Sequence, residues 1–239
     1  MLTIALMNYN KFLLLLALIC APVIGRAVTV ITGLPYTITA PGTYVLESNL
    51  TANNTDGIVV DASNVSINLG PYALIQAQPF YHTTGINVGH VDNVNIQNGT
   101  ITGFTVGVVL GAPSSTLKNS YVFTSQSPSP YSDGVQVTAN DCQVENCTLV
   151  FRAGYSSQPY YYSGIEIVGC GGVKVRDCQI SGYPYGISTD LYNQPSFLIG
   201  NYESNCVCGL ILNAGDKYQK NVTTNCYVAG GIAVGRENG

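Results

Sequence analysis

A glycine followed by two to four alternating apolar positions recurs along almost the whole chain. It reads GIVV at Gly57, GINV at Gly85, GVVL at Gly107, GVQV at Gly134, GIEI at Gly164, GIST at Gly186, GLIL at Gly209 and GIAV at Gly231. The seven steps are 28, 22, 27, 30, 22, 23 and 22 residues. A floor near 22 residues, with some steps lengthened, describes one unit that sometimes carries an insertion. A second periodic signal has the form Asn or Asp, a small residue, any residue, then an apolar one. It occurs at Asn98, Asn119, Asn146, Asp177, Asn205 and Asn225. No stretch has helical period, and the strand-like runs are short.

Short strands at this spacing could be hairpins, but type I′ turn pairs such as Asn-Gly are not at the right places along the repeat. The alternative is a chain that coils, so that each strand pairs in parallel with its copy one unit later, about 4.8 Å away. Ile58 and Val60 would then point inward, with Ile86 and Val88, and Ile165 and Ile167, stacked on them. Each unit buries its apolar face only against its neighbours, and crossover handedness makes the coil right-handed. The expected fold class is all-β: a single-stranded right-handed parallel β-helix, a solenoid with coils of about 22 residues. The composition agrees: only 9% of the 239 residues are charged, Trp is absent, and Gly and Tyr are abundant. A net charge of −4 with no basic run argues against a nucleic-acid partner.

Units such as GINVGHVDNVNIQNGTITGF resemble the repeats of the right-handed parallel β-helix family, the pectate-lyase-like superfamily. The resemblance spans roughly residues 40–239. It implies three parallel sheets and a ladder of stacked amides at one turn, for which the six Asn and Asp residues above are the candidates. Cys147, Cys178, Cys206 and Cys226 each follow that ladder by one residue and are expected to form an adjacent stack of small buried side chains rather than disulfides or a metal site.

Lys11 precedes FLLLLALICAPVIG, and small residues close the segment at Ala27. That is the pattern of a signal peptide, too short for a span of roughly 20 residues. The expected organisation is a signal peptide at 1–27, an N-terminal cap and first coil at 28–56, and the β-helix at 57–239. The expected location is secreted, periplasmic or at the cell surface, with no stable membrane span once the signal is removed. Seven cysteines then remain, an odd number that leaves at least one outside any intramolecular pairing. The last residues stop partway through a coil, which admits a fragment of a larger adhesin-like surface protein.

The lengthened steps place their extra residues just before the next glycine, at 76–84, 124–133 and 152–163, and a tight SGYPY (181–185) falls at the same corner. These segments carry Tyr81, His82, Tyr131, Tyr155, Tyr160, Tyr161, Tyr162, Tyr183 and Tyr185. Tyrosine rings offer apolar faces to sugar C–H groups and phenols offer hydrogen bonds. A polysaccharide or glycan is therefore the expected partner, unless the rings pack on one another to hold the loops. The carboxylates Asp133, Glu166 and Asp190 stand on or beside the glycine-led strands. Glu166 and Asp190, one coil and two residues apart, lie roughly 8 Å from each other, which an inverting glycosidase pair would allow.

Family motifs point away from a specific enzyme. Asn54-Thr55-Asp56-Gly57 matches the first motif of polygalacturonase-like hydrolases, but the next coil has no paired Asp-Asp. Gly89-His90 is followed by Val91, and there is no Arg-x-Lys. Calcium-dependent pectate lyases need clustered acids with a catalytic arginine, and neither Arg152 nor Arg176 has such a cluster. The sequence thus favours a non-catalytic, exported carbohydrate-binding or surface-decorating β-helix. A polysaccharide hydrolase or lyase is the alternative. No cofactor, metal ligand set or oligomeric state is indicated.

Overall fold

The computed structural model describes residues 27–78, 82–125, 132–152, 162–190 and 194–233. Every regular element among them is a β-strand, and every strand pairing is parallel. The strands form three sheets of nine, nine and eight members that wrap into a β-solenoid of about seven turns, about 23 residues each. The first sheet holds the glycine-led strands, from Tyr36–Ile38 to Val228–Ala233. The second runs from Val28–Ile31 to Lys217–Gln219, and the third from Leu50–Ala52 to Val222–Thr224. The chain passes from first to second to third sheet and back to the first. Among the described residues no helix is long and apolar enough to cross a membrane.

Period-2 alternation makes the core. In the first sheet Ile58 pairs with Ile86, Ile86 with Val108, Val108 with Val135, Val135 with Ile165, and Ile165 with Ile187. All are fully buried. In the third sheet the inward column is Leu50, Leu74, Ile101, Val122, Leu149 and Ile180, followed by Glu203. Each aliphatic side chain so buried contributes about 1.5–3 kcal/mol relative to exposure.

The recurring glycine has a steric cause. It sits where the chain enters the first sheet, and it faces inward. A Cβ on Gly57, Gly85, Gly107, Gly134, Gly164 or Gly186 would come closer than 3.0 Å to the carbonyl oxygen of the glycine in the next coil. The periodicity therefore reports a close approach between successive coils.

Three details of register differ from the sequence reading. Leu210 pairs with Gly230 and Ile211 with Gly231, so Gly231 is not the structural successor of Gly209. A slip of two residues leaves every side chain on the same face, which is why alternation alone cannot detect it. The asparagine ladder also divides. Asn98, Asn119, Asn146 and Asp177 (φ 65°, 53°, 51° and 52°) turn the chain between the second and third sheets. Asn205 and Asn225 (φ 54° and 52°) turn it between the third and the first. Both corners need a left-handed residue, and asparagine suits either. Side-chain ladder bonds join Asn98 Nδ2 to Asn68 Oδ1 and Asn146 Nδ2 to Asn119 Oδ1, both at 2.8 Å. A buried amide rung lies one residue later, where Asn201 Nδ2 donates to Asn221 Oδ1 (3.0 Å) and to the Val175 carbonyl (3.1 Å). For the same reason the cysteines do not form one stack. Cys147 and Cys178 lie at the corner between the second and third sheets, and Cys206 and Cys226 at the corner between the third and first. None of the seven is in a disulfide.

Candidate functional site

The outward residues of the first sheet form one column in register: Val59, Asn87, Val109, Gln136, Glu166, Ser188 and Ile211. Gln136, Glu166 and Ser188 make a polar run of three successive coils, all half-buried. The strands carrying them are Val135–Val137, Ser163–Ile167 and Tyr185–Thr189. The two longest connections between the third and first sheets enter two of these strands, so the polar run stands next to the corner where those connections join the first sheet.

Asp133 and Glu166 come together here. Asp133 precedes Gly134 and is only 3% exposed. Its Oδ1 accepts the Ser163 backbone N–H at 2.8 Å, and the Glu166 carboxyl is near enough to act on its charge. Burial first, then the neighbouring Glu166 charge, pushes Asp133 up to about 8, against the opposing Ser163 bond. Gln136 Nε2 donates to Glu166 Oε2 at 3.0 Å, which fixes the Glu166 side chain across the coil boundary. Asp190 is exposed and follows the strand that ends at Thr189. It lies two positions beyond Ser188, the partner of Glu166, which keeps the sequence-derived separation of roughly 8 Å. A carboxylic acid that keeps its proton at neutral pH, near a second carboxyl group, can donate a hydrogen bond or a proton to a ligand oxygen.

The tyrosines divide between core and corner. Tyr162 and Tyr183, read from sequence as surface rings, are core residues, 1% and 0% exposed. Phe151 packs between them, with centroid distances of 5.2 Å to Tyr162 and 5.3 Å to Tyr183. The Tyr183 hydroxyl pairs with Thr124 Oγ1 at 2.8 Å, and burial raises its phenol well above the ordinary range. These two rings, with Phe151 between them, fill the coil interior at this corner. Tyr185 is half-buried and opens the strand that carries Ser188, and His82 is exposed with φ 57°. Tyr81, Tyr131, Tyr155, Tyr160 and Tyr161 lie outside the described residues.

Sequence reasoning missed the hydroxyl column just inside this corner. Thr83 and Thr105 exchange backbone-to-hydroxyl bonds at 3.4 and 3.5 Å. Ser132, next to Asp133, is fully buried, and its Oγ has no partner. The signal was present: Thr55, Thr83, Thr105 and Ser132 each stand two residues before a repeat glycine.

No protein-family model matches the chain, and no curated protein matches it. Among solved structures it is similar to HetL, a pentapeptide repeat protein involved in heterocyst differentiation regulation, from the cyanobacterium Nostoc sp. strain PCC 7120. Identity is 11%, with 77% of this chain and 87% of that chain covered, and the TM-score is 0.16. A likeness of that size carries no argument about function. Three parallel sheets define this chain as a parallel β-solenoid.

Proposed function

We propose that the chain is an exported β-helix protein, secreted, periplasmic or on the cell surface, that binds a polysaccharide or glycan along the outer face of the first sheet. One observation carries this reading. Gln136, Glu166 and Ser188 stand in register on three successive coils of a face whose other coils present Val59, Asn87, Val109 and Ile211, and the two longest connections between the third and first sheets enter the strands of Gln136 and Glu166. A row of polar groups repeated about every 4.8 Å suits a polymer lying across the strands. The corner segments add Tyr131, Tyr155, Tyr160 and Tyr161 from the sequence. The test is a glycan array probed with residues 28–239 and with the double variant Gln136→Ala, Ser188→Ala. The variant should lose at least about tenfold in affinity, the loss of one or two hydrogen bonds, with its melting temperature nearly unchanged. A parent chain that binds no glycan, or a variant that binds equally well, rejects the proposal.

A second reading is a polysaccharide hydrolase or lyase of the pectate-lyase-like superfamily. The nearness of Asp133 to Glu166 favours it, because a proton donor at neutral pH beside a second carboxyl group is the raw material of general acid–base catalysis. A reducing-sugar assay over a polysaccharide panel, run on the parent and on Glu166→Gln, separates the two readings. Turnover that disappears in Glu166→Gln supports the enzyme.

A further inference from the structure

Lysine and arginine are segregated in this fold. Among the described residues they occur at Lys118, Arg152, Lys174, Arg176, Lys217 and Lys220. Four of them stand on the second-sheet strands Thr116–Lys118, Lys174–Arg176 and Lys217–Gln219, and Lys220 follows the last of these. Arg152 closes a third-sheet strand, and no first-sheet strand carries a basic residue. The acid on the second-sheet strands is Glu145, which pairs with Lys118 at 3.0 Å. Among the described residues Lys174, Arg176 and Lys217 have no ion-pair partner, and all three are exposed.

Register sets their spacing. Lys118 pairs with Glu145 and Glu145 with Arg176, while Lys174 pairs with Phe197 and Phe197 with Lys217. Each of these two neighbouring columns therefore repeats a cation at every second coil, about 9.6 Å apart. Together they run about 19 Å along the solenoid axis, four coil steps from Lys118 to Lys217. Lys217 Nζ lies 5.5 Å from the centre of the Phe197 ring, which keeps its charge over this face. The acids at the flanking corners are engaged elsewhere. Asp216 accepts bonds from the Thr189 hydroxyl and from the Ser196 and Asn213 N–H groups. Asp141 and Asp177 lie against Gly172 and Gly200 of the next coil.

A row of cations with a two-coil repeat suits a linear polymer whose anionic groups recur along one edge. In an extended polysaccharide one sugar is about as long as one coil step. Acidic groups on every second sugar would then meet Lys118, next Lys174 and Arg176, and then Lys217. The planar fork of Arg176 matches a carboxylate or a sulfate in bidentate fashion. Single-stranded nucleic acid fits less well, because its bases need an open aromatic platform. The ring among these cations, Phe197, is half-buried with Lys217 over it. An anionic membrane is held by cations clustered together, whereas these are strung out along the axis.

We propose that the outer face of the second sheet binds a linear acidic polysaccharide laid along the solenoid axis, its carboxylate or sulfate groups seated on Lys118, Lys174, Arg176 and Lys217. This face is separate from the polar run of the first sheet, where Glu166 stands and no basic residue does.

The experiment measures binding of the full chain to immobilised polymers on a biosensor. Hyaluronate is the carboxylated probe, dextran sulfate the sulfated probe and unmodified dextran the neutral control. The chain should bind at least one acidic polymer and not dextran, and the affinity should fall steeply as salt is raised. The double variant Lys174→Gln, Arg176→Gln should lose at least about tenfold in affinity. Thr51→Glu, which adds a negative charge on the third sheet, should stay within about twofold of the parent. A measurement on the parent chain keeps the test independent of variant folding: the bound polymer should protect Lys174 and Lys217 from acetylation mapped by mass spectrometry. A single-stranded oligonucleotide and vesicles containing phosphatidylserine are run alongside. No binding to either acidic polymer, equal binding to dextran, or unchanged binding in the double variant overturns the proposal. So does the absence of protection at Lys174 and Lys217, or tighter binding to the oligonucleotide or the vesicles than to both acidic polymers.

Discussion

Glu203 interrupts an aliphatic column and should make the solenoid less stable as pH rises. It follows Leu50, Leu74, Ile101, Val122, Leu149 and Ile180 on the inner face of the third sheet. It is 0% exposed, and neither carboxylate oxygen has a partner. Burial pushes its carboxyl from the ordinary 4.5 up to about 7. The folded chain thus holds this proton more tightly than the unfolded chain does. The contribution to stability is fully present below about pH 4.5, falls as pH rises, and levels off above about 7. A shift of this size corresponds to about 3 kcal/mol at 1.36 kcal/mol per pKa unit. Glu203→Leu continues the column and removes the titrating group. Urea unfolding followed by circular dichroism, on parent and variant at a series of pH values, measures the effect. The stability gap in favour of Glu203→Leu should widen by about 3 kcal/mol between pH 4.5 and values above 7. Parallel curves, with a constant gap across that range, would refute the reasoning.

Other consequences follow from the same geometry. Gly107→Ala forces a Cβ against the Gly134 carbonyl and Val122, and should cost at least about 1–3 kcal/mol in urea unfolding. Gly33→Ala, whose Cβ meets nothing within 4 Å, should stay within about 0.5 kcal/mol. Asn146→Ala loses both a favourable left-handed residue and the bond to Asn119. It should cost about 1–3 kcal/mol, and Asn146→Gly, which keeps the backbone conformation, should cost less. Tyr183→Phe leaves Thr124 Oγ1 without its buried partner and should lower stability by about 1–3 kcal/mol. Asp133, raised from 3.8 to about 8, should make stability fall as pH climbs through that window. Asp133→Asn should flatten that part of the melting-temperature profile.

The solenoid was legible because two periodic signals recur at nearly the same spacing. The glycine marks a close approach between coils, and the asparagine marks a left-handed turn. Each has a steric cause that a sequence displays directly. Which corner an asparagine turns was not legible, since both corners ask for the same φ, and so Asn205 and Asn225 were grouped with Asn98 although they lie elsewhere. The slip at Gly231 was hidden because a shift of two preserves the alternation. At the candidate site, Glu166 was legible as a carboxylate on a glycine-led strand, and the strand pairing sets Gln136 and Ser188 on either side of it. The nearness of Asp133 to Glu166 was not legible, because it depends on how the chain bends as it enters the glycine. Tyr162 and Tyr183 were misplaced for a related reason: composition marks a corner as aromatic without saying which rings turn inward to fill the core.

The account rests on one column, in which Asn87, Val109, Gln136, Glu166 and Ser188 rise coil upon coil on a single outer face. Spin labels at positions 87 and 188 test it most directly by pulsed dipolar spectroscopy. Four coil steps of about 4.8 Å predict a single, narrow distribution centred near 19 Å between the labelled backbones, broadened only by the label arms. A distribution centred beyond about 30 Å, or spread over several peaks, would contradict the stacked register and the binding face built on it.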